Sequence, residues 1–107
     1  MNYRILFADT AAEDLRELAL HIASISKDKE LAKRFILELR KSCQILETFP
    51  ESGALPRDRV MRSAGYRFLV HKDYLIFYTV DKENALVHIM AVFNGKKDYM
   101  RVMRRFF

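Results

Sequence analysis

Apolar residues recur at positions 11, 15, 18, 19, 22 and 25, then at 31 or 32, 35, 36, 39, 43 and 46. Steps of three, four and seven mark one face of a helix. Only a short turn around Lys27 and Asp28 separates the two runs, so they predict two helices folded back as an antiparallel hairpin. A hairpin with one long apolar stripe must bury it against a second layer. At ~1.5–3 kcal/mol per fully buried large apolar side chain, the stripe from Leu15 to Leu46 is the main stabilising surface.

Residues 66–71, 74–81 and 86–93 supply that second layer. They are rich in Tyr, Phe, Val and Ile and read as strands. The links Lys72-Asp73 and Lys82 to Ala85 are hairpin-length, which predicts an antiparallel three-stranded meander. Residues 2–8 read as a further short strand. Thr10 and Glu13 have capping-box spacing at the start of the first helix, which should end near Ser26. Asp28 is placed to cap the second helix, and Pro50 stops it by Phe49. Residues 50–65, with Pro50, Gly53, Pro56 and Gly65, read as an irregular exposed connection. After Gly95 the pattern is helical again, with Tyr99, Val102, Met103 and Phe106 on one side. The predicted class is α+β: an N-terminal strand, a helical hairpin packed on an antiparallel sheet, and a short C-terminal helix.

The chain has 107 residues, enough for one domain spanning 1–107 with a modest core. One cysteine, Cys43, rules out an internal disulfide and any Cys-rich metal centre. At a helix core position it reads as inert. No metal-ligand pattern or Gly-rich phosphate loop occurs, so neither a metal nor a cofactor is expected. The apolar run from Tyr74 to Val80 is too short to span a bilayer, and no leader pattern opens the chain. A cytoplasmic protein with no membrane partner is the expectation.

Charge is unevenly placed. Residues 57–72 carry Arg57, Arg59, Arg62, Arg67 and Lys72 against Asp58, and residues 96–107 carry Lys96, Lys97, Arg101, Arg104 and Arg105 against Asp98. Ten bases less two acids leave +8 in these stretches, whereas the rest, nine bases and twelve acids, is −3. A concentrated positive field points to an anionic partner. Arg57, Arg59 and Arg62 form a spaced cluster suited to phosphate-backbone contact, and Arg101, Arg104 and Arg105 extend it at helical spacing.

Side chains alternate across a strand. If Tyr66, Phe68 and Val70 look at the helices, Arg67 and His71 look at an open face. A guanidinium there is either a phosphate clamp or a surface arginine paired with an acid. Lys96, Lys97 and Tyr99 follow the last strand and can approach Arg67 if the meander closes. Lysines there would hold phosphates, and the tyrosine would stack on a base or donate a proton; the plain alternative is a solvated turn with an aromatic tucked into the core. Of three histidines, His21 and His88 read as packing residues, and His71 is the candidate general acid or base.

Several strings, in order, resemble the RelE/ParE superfamily of toxins from type II toxin–antitoxin modules. They are the opening strand, Asp14-Leu15, the helix ending Leu46 to Pro50, Gly65-Tyr66-Arg67, Tyr74 to Asp81, and Val92 to Tyr99. The resemblance implies a growth-inhibiting toxin neutralised by a cognate antitoxin. RelE-like members cleave messenger RNA on the ribosome, whereas ParE-like members inhibit DNA gyrase. The RelE-like strand arginine falls on Arg67, and the basic residue after the last strand falls on Lys96, where arginine is more usual. The position of the RelE-like tyrosine is Met100 here. Tyr99 is one residue out of register, which on a helix is a turn of roughly 100 degrees. An acid role would then move to Tyr99 or His71. That departure, the long hairpin and the Asn94 to Tyr99 string point toward the ParE-like and plasmid-stabilisation members. The alternatives are a metal-independent endoribonuclease using Arg67, Lys96, Tyr99 and His71, or a non-toxic basic nucleic-acid-binding domain. The antitoxin is expected to cover apolar surface on the hairpin or sheet and to mask the basic patch. Phe106 and Phe107 are candidates for that contact or for docking on the core.

Overall fold

The computed structural model describes residues 2–107. Strand β1 (Arg4–Phe7) leads into α1 (Asp9–Ser26) and α2 (Lys29–Ser42), whose end tightens into a 3-10 turn, Cys43–Glu47. After a connection carrying α3 (Arg59–Ser63) come β2 (Arg67–His71), β3 (Tyr74–Asp81) and β4 (Leu86–Asn94). The chain closes with α4 (Tyr99–Met103) and a second 3-10 turn, Arg104–Phe106.

The helical hairpin forms as the periodicity predicts. Asp28 caps α2, its carboxylate accepting from the Glu30 and Leu31 amides at 3.0 and 3.1 Å. Lys27 ends α1 in the left-handed region, φ 57°. Ala11, Leu15, Leu18, Leu39, Cys43 and Leu46 are buried in one cluster with Ile76, Tyr78, Val87, Ile89 and Val92 of the sheet. The stripe fades at the hairpin tip, where Ile25 is 69% and Leu31 40% exposed, while Ala11 and Leu46 at its two ends are fully buried.

The capping box does not form. Ala8 is the N-cap of α1 and makes no side-chain cap bond. Thr10 already lies within the first turn, and its hydroxyl donates instead to the Met90 carbonyl at 2.6 Å. The meander β2-β3-β4 is antiparallel as expected, while β1 adds in parallel to β4, giving the order β1-β4-β3-β2 and a mixed sheet. That pairing spans only Leu86–Ile89 of β4. Past it the edge of β4 is met by α1 side chains: Thr10 on Met90, and Asp14, whose carboxylate accepts from the Val92 amide at 2.9 Å.

The connection 50–65 is more ordered than its composition indicates. Asp58 caps α3 by accepting from the Met61 amide at 2.9 Å. Met61 is wholly buried with Tyr66, Phe77, Ala91, Phe93 and Met103 in a second cluster. Gly65, at φ 89°, makes the tight exit from α3 that a side chain would strain. The sheet is therefore covered on both faces, by α1 and α2 on one and by α3, α4 and the C-terminal turn on the other. No helix among the described residues is long and apolar enough to cross a membrane.

Candidate functional site

Residues paired across antiparallel strands share a face. Arg67 is opposite Tyr78, Leu69 opposite Ile76, and His71 opposite Tyr74, and these partners pack in or against the hairpin cluster. Arg67 and His71 therefore face the hairpin, while Tyr66 and Phe68 face the second cluster. This reverses the orientation expected from the alternation. The cause is the second apolar layer, which claims Tyr66 and Phe68 for the opposite side.

Arg67 is engaged with the chain itself. Its guanidinium donates to the carbonyls of Glu51 and Gly53 at 3.1 and 3.0 Å, and lies 4.0 Å from the Glu51 carboxylate. Glu51 also takes Lys82 at 2.7 Å. That hydrogen bond and the Lys82 charge hold its carboxyl below the ordinary carboxylate range. The Gly53 amide donates to the Tyr78 hydroxyl at 2.9 Å. Arg67 thus brackets the loop 48–56 onto the edge of β2, where Ala54 bridges Phe68.

Lys96 and Lys97 sit at the other end of the sheet. Asn94 pairs with Tyr74, and Gly95 donates to the Asp73 carbonyl at 2.7 Å. Arg67 pairs with Tyr78, four residues along β3, roughly 13 Å of strand. The two lysines and Arg67 do not converge. Tyr99 packs on Phe77, centroids 6.1 Å apart, in the second layer. His71 is edge-on to Phe35 at 5.8 Å on the hairpin face, with its buried Nε2 lacking a partner among the described residues. The candidate proton-transfer groups thus stand on opposite faces of the sheet. Met100 packs against the second cluster.

Two other bases of the predicted patch are paired. Lys72 lies 3.8 Å from Glu38. Arg105 grips Asp14 with two bonds, 3.1 and 2.6 Å. Lys97 lines a cleft of about 350 Å³ between α1 and the end of β4, with Asp14, Glu17, His21, Tyr74 and Asn94 also on its walls. Arg57, Arg59, Arg62, Arg101 and Arg104 are exposed and form no ion pair among the described residues. Among the described residues no three His, Cys, Asp or Glu side chains gather as metal ligands. The roles of Asp14 and Gly53 were not anticipated. Asp14 did carry a signal, because it stands beside Leu15 on the buried stripe and an acid there requires partners. Gly53 carried none.

Cys43 is fully buried, and desolvation pushes its thiol from 9.0 up to about 11. At pH 8 roughly one thiol in a thousand is ionised, so the native chain is expected not to react with a disulfide reagent until denaturant is added. The folded state holds this proton more tightly than the unfolded one. The associated stability is present below pH 9.0 and lost as pH rises through about 11. Burial raises Tyr66 and Tyr78 too, so they act in the same sense. The urea midpoint is expected to fall across that window, less steeply in Cys43→Ala. A flat midpoint, or rapid native labelling, would contradict this burial.

The family model described as ParE toxin of type II toxin-antitoxin system, parDE, matches residues 5–99. Among solved structures the chain is similar to the chromosomal ParDE system of P. aeruginosa, with 17% identity, a TM-score of 0.70, and 86% of this chain and 95% of that one covered. It is also similar to the RelBE2 toxin–antitoxin complex of Mycobacterium tuberculosis, with 21% identity, a TM-score of 0.64, and coverage of 88% and 92%. A free E. coli RelE toxin with two arginines changed to alanine aligns over 100% of both chains at 18% identity and a TM-score of 0.56. No curated protein matches. The three structural likenesses are likenesses of fold.

Proposed function

Because the chain belongs to the ParE toxin family of type II toxin–antitoxin systems, within the RelE/ParE superfamily, we propose that it arrests growth by inhibiting DNA gyrase and is held inactive by a cognate antitoxin. The observation that carries this reading is the dispersal of the groups an RNA-cutting site would need. Arg67 is spent on two backbone carbonyls, the lysines lie at the far end of the sheet, and His71 and Tyr99 stand on opposite faces. Phosphoryl chemistry requires its cations and proton carriers around one phosphate, and inhibition by binding makes no such demand.

The antitoxin contact is assigned to the hairpin side. Leu20, Ile25, Leu37, Ile45 and Phe49 are each more than half exposed there and on the segment leaving it. Exposed apolar side chains on helices are a surface that an antitoxin segment can cover. The neighbouring ParDE and RelBE structures are toxin–antitoxin systems, in keeping with such a partner. With gyrase as its target, the chain would act in the cytoplasm.

The test is a gyrase supercoiling assay with the purified chain, paired with toeprinting of messenger RNA on ribosomes. Loss of supercoiling, with no new ribosomal cleavage, is the expected result. Untouched supercoiling together with ribosome-dependent cleavage that disappears in Arg67→Ala and Lys96→Ala would overturn it in favour of a ribonuclease. Since Arg67 brackets a loop, its alanine variant is expected to lose about 1–2 kcal/mol of stability in either case, so its melting curve must accompany the activity reading.

A further inference from the structure

We propose that the outer surface of the α3 and α4 layer is a binding site for the phosphate backbone of duplex DNA. Each short helix turns a buried methionine inward, Met61 from α3 and Met103 from α4, into one cluster. Beside them arginines at i and i+3 are exposed, Arg59 with Arg62 on α3, and Arg101 on α4 with Arg104 at the start of the 3-10 turn that follows it. Arg57 lies on the approach to α3. Segments some forty residues apart in sequence thus present five guanidinium groups on one layer.

That charge is unneutralised. None of the five has an ion-pair partner among the described residues. The acids of these stretches serve as helix caps, Asp58 accepting from the Met61 amide at 2.9 Å and Asp98 from the Met100 amide at 3.1 Å. The paired bases of the same stretches, Arg67, Lys72 and Arg105, hold other parts of the fold. Arg57, Arg59, Arg62, Arg101 and Arg104 remain, with Lys96 and Lys97 also unpaired among the described residues just before α4, and an arginine fork matches phosphate oxygens two at a time.

Two features select duplex backbone over other polyanions. Single strands are held by stacking successive bases on several exposed aromatic rings, but here Tyr66 is buried, Tyr99 and Phe106 are packed against the cluster, and of these four rings only Phe107, edge-on to Tyr66 at 5.8 Å, is more than half exposed. An acidic amphipathic helix needs an apolar groove, and the exposed large apolar residues of α3 and the C-terminal end are two, Val60 and Phe107, against six on the hairpin and the segment leaving it, Leu20, Ile25, Leu31, Leu37, Ile45 and Phe49. The chain is thus divided between a hairpin side suited to protein and an arginine side suited to phosphate. This inference is independent of the gyrase reading, because DNA binding is measured with no enzyme present.

The experiment follows the anisotropy of a labelled duplex of about 20 base pairs as the full chain is added, from about 50 to 200 mM salt, where each phosphate contact contributes about −0.9 to the slope of log K against log salt. Four or five contacts give an expected slope near −4. The variant Arg59→Gln/Arg62→Gln/Arg101→Gln/Arg104→Gln is expected to lose at least tenfold in affinity and most of that slope. A control removing four exposed bases from α2, Lys29→Gln/Lys33→Gln/Arg34→Gln/Lys41→Gln, deletes the same net charge and is expected to change affinity less than threefold. The proposal is overturned by absence of binding at the lowest salt, by equal losses in the two variants, by tighter binding of a single-stranded RNA, or by a Glu-rich peptide of equal charge displacing the duplex. Gyrase inhibition without duplex binding would remove this site and leave the toxin reading intact.

Discussion

Gly53→Ala is expected to lower the unfolding free energy by about 2–4 kcal/mol. A Cβ at this position would lie 2.5 Å from the Tyr78 hydroxyl oxygen, 2.7 Å from its ring Cε1 and 2.8 Å from the Phe68 carbonyl oxygen. None of these can yield cheaply. Tyr78 is wholly buried, and the Phe68 carbonyl is fixed by the Ala54 amide at 2.8 Å. The loop 48–56 must therefore lift. Lifting breaks the Gly53 bond to the Tyr78 hydroxyl and removes a carbonyl from Arg67. A buried hydroxyl left without a partner adds its own desolvation cost. At about 4–6 °C per kcal/mol for a chain of this size, the melting temperature should drop by roughly 10–20 °C. The same substitution beside Tyr78→Phe should cost less than the sum of the two single changes, because the first clash atom is gone. A Gly53→Ala protein melting with its parent would refute the close approach.

Asp14→Ala is expected to cost about 2–4 kcal/mol and to loosen the C-terminal turn. One carboxylate accepts the Val92 amide on the free edge of β4 and both bonds from Arg105. Its side chain is only 14% exposed, so solvent replaces these contacts poorly. Removing it leaves a backbone donor unsatisfied and releases Arg105. Asp14→Asn keeps an acceptor for Val92 and should recover about half the loss. Hydrogen exchange is the decisive measurement. The Val92 amide and residues 104–107 should lose protection in Asp14→Ala, while α2 keeps its own. Unchanged protection at Val92 would show that this carboxylate does not hold the strand edge.

Much of the fold was legible in the sequence because its signals are local. The spacing from Ala11 to Leu46 defines a stripe whatever it packs on, Asp28 caps through amides two and three residues away, and Pro50 acts on its immediate neighbour. The meander needed only short turns between β-rich runs. The failures occurred where a residue had two possible partners. Thr10 had the spacing for a capping box, but a carbonyl eighty residues away took its hydroxyl. The stretch before Gly65 had loop composition, but burial of Met61 beside Met103 made α3 part of a layer.

The sequence by itself determined the helical hairpin, the strands of the meander and which segments hold the positive charge. Only the tertiary structure decided which way β2 faces. Alternation divides its side chains into two sets, yet assigning those sets to faces depends on what lies on each side, and the second layer is built by residues remote in sequence. The same long-range packing decided which cations are free. Glu51, Glu38 and Asp14 lie sixteen, thirty-four and ninety-one positions from the bases they engage. Ion pairing depends on separation in space, to which the order of residues is blind.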